Sequence, residues 1–278
     1  MTSGTLYVCG TPIGNLEDVS IRLLKTLRAV DIIACEDTRH TIKLLNRYKI
    51  KNRLLSYHEH SSLEREDYLL EEIKSGKNIA LVSDAGMPTI SDPGEHLVRK
   101  AIEAGIKVDV IPGPSACTAA LAISGLDSSA FIFMGFLPPR RNPRLAALRE
   151  LKEESRTVIF YEAPHRLLDT LLDMQAIMGE EQPVTIGREL TKQYQEMQRG
   201  SLKEVYDYYT QHPPRGEICM LLPGRQIIAK SADIEQIISE TAQLIKNGME
   251  KKEALKMKAH EYGIKKSTLY KYFVDNPI

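Results

Sequence analysis

Ile79-Ala80-Leu81-Val82-Ser83-Asp84-Ala85-Gly86-Met87-Pro88-Thr89-Ile90-Ser91-Asp92-Pro93-Gly94 is the stretch from which the rest of the chain can be read. Its first four residues form a continuous apolar run of the length expected for a strand buried on both faces. The residues that follow hold two Gly, two Pro and two Asp, a density that interrupts regular structure and favours backbone shapes that other residues resist. A helical pattern resumes at about Glu95. In open α/β sheets such loops lie at the carboxyl ends of strands, where ligands bind, so a ligand is expected on residues 83 to 94.

Outward from this loop the chain keeps alternating. Toward the N-terminus it reads as strands at Leu6-Tyr7-Val8, Ile32-Ile33-Ala34 and Leu54-Leu55-Ser56-Tyr57, separated by helices around Val19 to Val30, Thr41 to Tyr48 and Glu64 to Ser75. Toward the C-terminus a helix near His96 to Ala104, a strand at Val108 to Ile111 and a helix from about Ser115 to Ile123 follow. Such alternation predicts a mostly parallel sheet with covering helices over residues 1–125. After Gly125-Leu126-Asp127-Ser128-Ser129 a second α/β domain, 126–224, is expected. It holds strands at Phe131 to Phe136, Thr157 to Tyr161, Val184 to Gly187, Gln195 to Gln198 and Ile218 to Leu222, the last two antiparallel, a basic loop at Pro138 to Arg144, and a helix near His165 to Ile177. Residues 225–278 read as helices at Ile234 to Lys246, Lys251 to Tyr262 and Thr268 to Phe273.

With 278 residues and 42% hydrophobic content the chain can bury a full core. Lys plus Arg, 37, equal Asp plus Glu, 37, so no global field recruits nucleic acid and any such partner must be gripped by a local patch. Cys9, Cys35, Cys117 and Cys219 are scattered without CxxC pairing and mostly lie in apolar runs, which fits a reducing, cytoplasmic setting. No apolar segment approaches the roughly 18 residues of a membrane span, and Met1-Thr2-Ser3-Gly4 leads straight into a strand. Between Lys246 and Lys271 lysines outnumber acids eight to three, with Tyr270 and Tyr272 on either side of Lys271. That segment is either a solvated helical cap or a nucleic-acid contact in which lysines neutralise phosphates and aromatics stack on bases.

Two further Gly/Pro loops follow strands. Gly10-Thr11-Pro12-Ile13-Gly14-Asn15 lacks both the GxGxxG and the GxxxxGK[ST] pattern, which argues against dinucleotide or P-loop nucleotide binding. Ile111-Pro112-Gly113-Pro114-Ser115-Ala116 opens a helix that Ser115 can cap, with small residues that let a ligand approach backbone amides. Three small-residue loops at the ends of three strands in one sheet suggest one cleft. His58 and His60 share one side of an extended segment with Glu59 on the other; two histidines without a third ligand do not make a metal site, and none is expected. Tyr161-Glu162-Ala163-Pro164-His165-Arg166 and Gly187-Arg188-Glu189-Leu190-Thr191-Lys192 place charges at two more strand ends.

These motifs, in this order and together with Cys35-Glu36-Asp37-Thr38-Arg39, resemble the tetrapyrrole methylase superfamily. More narrowly they resemble the ribosomal RNA small subunit methyltransferase I family, from about residue 5 to 224. The resemblance implies two α/β domains with a cleft for S-adenosylmethionine (SAM) between them, a helical C-terminal extension, and a homodimer. It implies methylation of the ribose 2′-hydroxyl of a cytidine in the decoding region of small-subunit (16S) ribosomal RNA. Cofactor contacts would fall on Pro12, Asp84, Gly86, Ile90, Ser91, Ser115, Ala116, Tyr161 and Glu162, and on backbone near Arg188, Gly216 and Glu217. Met87 and Thr89, and Ser61-Ser62 after the His-Glu-His run, depart from what is common in the family without changing the assignment.

A ribose hydroxyl is weakly acidic, so a positioned base is expected to contribute about a hundred- to ten-thousand-fold. Glu59 and then Lys192 are the first choices, on motif position. Phosphate contacts are expected from Arg39, Arg140, Arg141, Arg144 and Arg166 and from tail lysines such as Lys265 and Lys266. The alternatives are a methyltransferase acting on a tetrapyrrole carbon or a protein side chain, and a SAM-occupied RNA-binding assembly factor without turnover.

Overall fold

The structure, a computed structural model, describes residues 3–58, 63–225, 234–262, 264 and 266–275. It forms two compact units, Met1–Pro223 and Gly224–Ile278. The larger holds two five-stranded sheets.

The first sheet is parallel throughout. Its strands are β1 (Thr5–Cys9), β2 (Ile32–Cys35), β3 (Leu54–Ser56), β4 (Ile79–Val82) and β5 (Lys107–Ile111), in the order β3-β2-β4-β1-β5. Four helices connect them: α1 (Ile21–Ala29), α2 (Thr38–Arg47), α3 (Leu63–Lys74) and α4 (Glu95–Glu103). Every residue of β2 and β4 is buried, because helices cover both faces. Leu69, Ile73, Leu97 and Ala101 pack with Leu6, Ile79 and Leu81, while Leu23, Leu27, Leu44 and Leu45 pack with Ile33, Ala80 and Val82. Capping residues set where two of these helices begin. Ser20 Oγ accepts from the Leu23 amide at 3.0 Å and Asp37 Oδ1 from the Arg39 amide at 2.8 Å, each satisfying an amide that the helix leaves unpaired.

Helix α5 (Ala116–Ser124) leads out of the first sheet and ends at Gly125, whose φ of +80° is the left-handed stop that glycine adopts readily. It packs on the second sheet: Cys117, Ala120 and Leu121 are buried with Ile159, Cys219 and Leu221. That sheet contains β6 (Phe131–Phe136), β7 (Thr157–Glu162), β8 (Pro183–Arg188), β9 (Glu196–Ser201) and β10 (Ile218–Leu222), in the order β6-β7-β10-β8-β9. Only β6 and β7 are parallel; β10 runs antiparallel to β7 and β8, and β9 to β8.

The second half holds three helices: α6 (Arg141–Leu151), α7 (Leu167–Met178) and α8 (Leu202–Gln211). Two of them depart from what the sequence predicts. Helix α6 begins inside the stretch that reads as a basic loop, and α8 stands where the pattern predicts no helix, so β9 and β10 are joined by a helix. Ser201 and Glu204 close a capping box at the start of α8, and its Leu202, Val205 and Tyr209 enter the core.

The smaller unit consists of α9 (Ile234–Lys246), α10 (Lys251–Glu261) and α11 (Lys266–Asp275), packed around Ile237, Leu255, Ala259, Tyr262, Leu269 and Phe273. Lys258, on α10, donates to Glu240 at 2.6 Å and to Glu261 at 2.8 Å. This lysine of the basic tail therefore holds the helices together. Among the described residues no helix is long and apolar enough to cross a membrane.

Candidate active site

Strands β1 and β4 are neighbours, yet the chain leaves them in opposite directions, from β1 toward β2 and from β4 toward β5. Adjacent strands whose connections part in this way open a crevice at their carboxyl ends. Two loops meet in that crevice. Thr11 and Gly86 form an isolated antiparallel bridge, Thr11 N–H to Gly86 O at 2.8 Å and Gly86 N–H to Thr11 O at 3.2 Å. The third loop closes in as well, since the backbones of Gly10 and Gly113 approach so nearly that a Cβ on Gly10 would stand 2.7 Å from Gly113 Cα.

Recesses lie on both sides of the Thr11–Gly86 bridge. The smaller, about 120 Å³, is lined by Pro12, His40, Lys43 and Asp84 among others. The larger, about 320 Å³, is lined from the first sheet by Ile13 and residues 85–87 and 90–92, and from α5 by Ser115 and Ala116. Its opposite wall comes from the second sheet: residues 161–164 at the end of β7, Gly187 and Leu190 around the end of β8, and residues 216–219 at the start of β10. In the register of that sheet Ile218 pairs with both Glu162 and Arg188, so these three chain segments reach the same edge.

The loops that line the cavity are strained. Among the described residues five non-glycines have positive φ, and four of them lie here: Thr89 (+74°), Ser91 (+62°), Glu189 (+51°) and Thr191 (+65°). Each such residue costs about 1–3 kcal/mol and persists only where its surroundings enforce it, which is typical of ligand-binding loops. Two clasps are visible. Asn15 N–H donates to Thr191 Oγ1 at 3.2 Å, and a Cβ on Gly14 would run into the Lys192 side chain, so the β1 loop is locked to the β8 loop. Glu189 Oε1 accepts from the Glu217 amide at 3.0 Å and from Lys192 Nζ at 2.7 Å, which fixes residues 216–217.

Among the described residues the lining includes Asp92, Glu162 and Glu217 but no lysine or arginine. Glu162 is buried and fully engaged: Oε1 accepts from the Ala163 amide at 2.8 Å and faces Arg166 Nε at 3.3 Å, while Oε2 accepts from Thr170 Oγ1 at 2.6 Å. Glu217 is exposed and lies 3.2 Å from Lys192. Asp92 has no cation within ion-pair distance among the described residues. Burial first, and then the charge of Glu36, push its carboxyl up to about 7, with Asp84 and Glu217 adding to the rise and a hydrogen bond from Ser83 opposing it. Glu36 is itself held above the ordinary carboxylate range by burial and by Asp84.

Ser115 occupies the N-cap of α5, but its side chain makes no capping bond. The Tyr161 hydroxyl serves the helix instead, accepting from the Cys117 amide at 3.2 Å. Phe133 and Phe136 hold the tyrosine ring edge-on, at centroid distances of 4.9 and 5.6 Å.

Of the residues expected to contact a cofactor, the larger cavity gathers Gly86, Ile90, Ser91, Ser115, Ala116, Tyr161, Glu162, Gly216 and Glu217. Pro12 and Asp84 stand across the bridge in the smaller recess. The Arg188 guanidinium is bonded to Glu196 at 2.8 Å and to Arg215 O at 3.3 Å, and the strand end that carries it borders the larger cavity through Gly187. Glu59 and Lys265 lie outside the described residues. Lys192 is unsuited to the role of base: burial pulls its ammonium down, but hydrogen bonds and charge from Glu189 and Glu217 outweigh that and hold it above the usual lysine range. Arg144 is not a surface cation either. It is 5% exposed and bound to Asp173 on α7 at 2.7 Å, an ion pair within the protein. Arg166 donates to Leu137 O and Pro138 O and holds the link into α6. Arg39, Arg140 and Arg141 remain at the surface, Arg39 beside Asp37 and Arg141 beside Asp173. Lys266 begins α11 of the smaller unit. Asp92, inside the decisive loop, escapes sequence reasoning, because its flanking Ser91 and Pro93 signal nothing beyond the turn itself.

The family model for Tetrapyrrole (Corrin/Porphyrin) Methylases matches residues 5–206. A Thermotoga maritima protein named Ribosomal RNA small subunit methyltransferase I is 51% identical over 223 residues, 80% of this chain and 100% of that protein. Its namesake from Synechocystis sp. is 44% identical over 268 residues, 96% of each chain. The solved structure titled "Crystal structure of diphthine synthase" shares the fold, with a TM-score of 0.62 at 16% identity, covering 80% of this chain and 90% of that one. Sequence identity of this extent, over both sheets and the loops that line the cavity, places the chain in the ribosomal RNA small subunit methyltransferase I family of the tetrapyrrole methylases.

Proposed function

We propose that the protein transfers a methyl group from SAM to the ribose 2′-hydroxyl of a cytidine in the decoding region of small-subunit (16S) ribosomal RNA. The observation that carries the cofactor is the lining of the larger cavity, which among the described residues holds three carboxylates and no lysine or arginine. Such a site repels phosphates and suits a cation. Its volume, about 320 Å³, falls at the lower end of the range of roughly 300–1,000 Å³ usual for small-molecule sites.

The residues present fit SAM. Ile13, Ile90 and Leu190 offer apolar surface for the adenosine, Glu217 offers negative charge to the amino group, and the opening amides of α5 beside Ser115 and Ala116 suit a carboxylate. When bound, SAM supplies an electrophilic methyl group on a positively charged sulfur. The chain's part is to hold the attacking oxygen in line with that methyl, and orientation of this kind is worth about 7–11 kcal/mol of a barrier. The strained, doubly clasped loops supply the rigidity that such alignment needs, and the apolar walls keep water from competing as acceptor.

In this reading Arg39, Arg140 and Arg141 meet RNA phosphates, with Lys265 and Lys266 of the helical tail as further contacts. The protein works in the cytoplasm as a homodimer. Phe131 and Met134 on the edge strand β6, 41% and 42% exposed, support a surface covered by a second copy.

The test is incubation of the protein with methyl-labelled SAM and either undermethylated small ribosomal subunits or a porphyrin precursor. Label in the RNA is the expected result. Label in the macrocycle, or in ribosomal protein alone, contradicts the proposal, and tight binding of SAM and RNA without transfer would leave an assembly factor.

A further inference from the structure

Five side chains around the larger cavity could accept a proton: Asp92, Tyr161, Glu162, Glu217 and Cys219. Four are otherwise committed. Both Glu162 oxygens are taken inside the protein, and its charge faces Arg166. Glu217 is exposed and paired with Lys192. The Tyr161 hydroxyl and the Cys219 thiol are both driven far above their ordinary values, burial being the largest cause for each. Asp92 alone lines the cavity as a carboxylate without a cation beside it among the described residues.

We propose that Asp92 is the general base that takes the proton from the attacking ribose hydroxyl, an assignment that rests on the methyl-transfer function proposed above. The loop that carries it is rigid: Thr89 and Ser91 have positive φ, Pro93 follows, and a Cβ on Gly94 would press into Leu81 and Thr89. The charged groups that act on Asp92 are acidic, namely Glu36 after β2, Asp84 after β4 and Glu217 before β10, while Ser83 offers its hydroxyl; His58 stands near enough to Glu36 to lower its carboxyl in turn. This setting gives the carboxyl the proton affinity that a base working near neutrality needs. An ordinary carboxylate, titrating near 4, would be about a thousand times less basic.

The step balances without another reactant. The 2′-oxygen gives its proton to Asp92 as the oxygen–methyl bond forms, and the sulfur–methyl bond breaks with its electron pair remaining on sulfur as a neutral thioether. The protonated Asp92 then releases its proton to solvent through the open side of the cavity.

The experiment compares wild type with Asp92→Asn, Asp92→Glu and Glu59→Gln in single-turnover methylation of undermethylated small subunits across pH 5–9. Affinity for S-adenosylhomocysteine is measured alongside, as is thermal stability across pH. Asp92→Asn should lose about 100- to 10,000-fold in rate, and lose the pH inflection near 7, while keeping S-adenosylhomocysteine affinity within about threefold. Asp92→Glu should recover part of the rate together with an inflection, and Glu59→Gln should lose less than Asp92→Asn and keep the inflection near 7.

A readout independent of turnover follows from linkage. The folded carboxyl holds its proton to higher pH than the unfolded one, so the native state binds more protons between about pH 4 and 7 and wild type loses stability as pH rises through that window. Asp92→Asn should remove this loss and melt higher than wild type at pH 8. If wild type methylates ribose and Asp92→Asn does so at an undiminished rate, the assignment is overturned alone. The same holds if Glu59→Gln carries the loss, or if stability shows no such pH dependence. A wild type that transfers no methyl to ribose overturns the functional reading and the assignment with it.

Discussion

Replacing Asp173 by alanine leaves a cation in the core. Asp173 side-chain exposure is 3%; it binds Arg144, 6% exposed, at 2.7 Å, and Arg141, 72% exposed, at 2.9 Å. Removing one partner of a buried pair strands the other in a medium that solvates it poorly, at a cost of about 3–5 kcal/mol. For a cooperative unit of this size 1 kcal/mol moves the melting midpoint by about 2–4 °C, so Asp173→Ala should lower it by roughly 6–20 °C. The control is the double replacement Arg144→Met with Asp173→Leu, which exchanges the pair for apolar bulk and should recover most of the loss. Thermal melts and urea titrations of the three proteins read both effects. A fourth protein, Arg144→Met alone, tests whether this arginine meets RNA: it should leave the salt dependence of RNA binding unchanged. Asp173→Ala within about 1 kcal/mol of wild type, or an Arg144→Met protein of native stability with weakened RNA binding, would refute the reasoning.

Gly216→Ala puts a methyl group at a φ of +81°, which costs about 1–2 kcal/mol, and drives it into the carboxyl of Glu189 that positions residues 216–217. Calorimetry should show affinity for SAM falling at least tenfold, with a smaller drop in melting midpoint than in Asp173→Ala; unchanged affinity would remove these residues from the site. Reversing Arg39 and Arg140 to glutamate should weaken RNA binding and reduce the slope of log affinity against log salt by roughly 1 for each phosphate that is no longer neutralised. An unchanged slope would clear this surface of RNA.

What the sequence discloses and what it hides have physical reasons. The parallel sheet is legible because β2 and β4 are apolar throughout, and the cavity is legible because the Gly- and Pro-rich loops after β1, β4 and β5 fall at carboxyl ends of strands. Helix α8 is hidden although Ser201 and Glu204 carry the capping-box spacing, because the run of tyrosines behind them has no strong helical preference. Helix α6 is hidden because Pro138, Pro139 and Pro143 suggest a loop, whereas Pro143 sits in the first turn, where a helix tolerates it. The charged residues are the hardest to place. Arg144 reads as a surface cation until Asp173 is seen beside it, and Lys192 as a base until Glu189 and Glu217 are. Asp92 shows the converse: its separation from cations is a property of three dimensions and leaves no mark in spacing.

The central claim is that the acidic cavity serves methyl transfer to a ribose oxygen, and alkaline hydrolysis of the RNA tests it most directly. Alkali cleaves RNA through attack by the 2′-hydroxyl, so a methylated ribose protects the phosphodiester on its 3′ side. Undermethylated small subunits treated with the protein and SAM should yield a hydrolysis ladder lacking one rung, at a cytidine of the decoding region. A complete ladder from RNA that has nevertheless gained a methyl group would place the modification on a base and contradict the account.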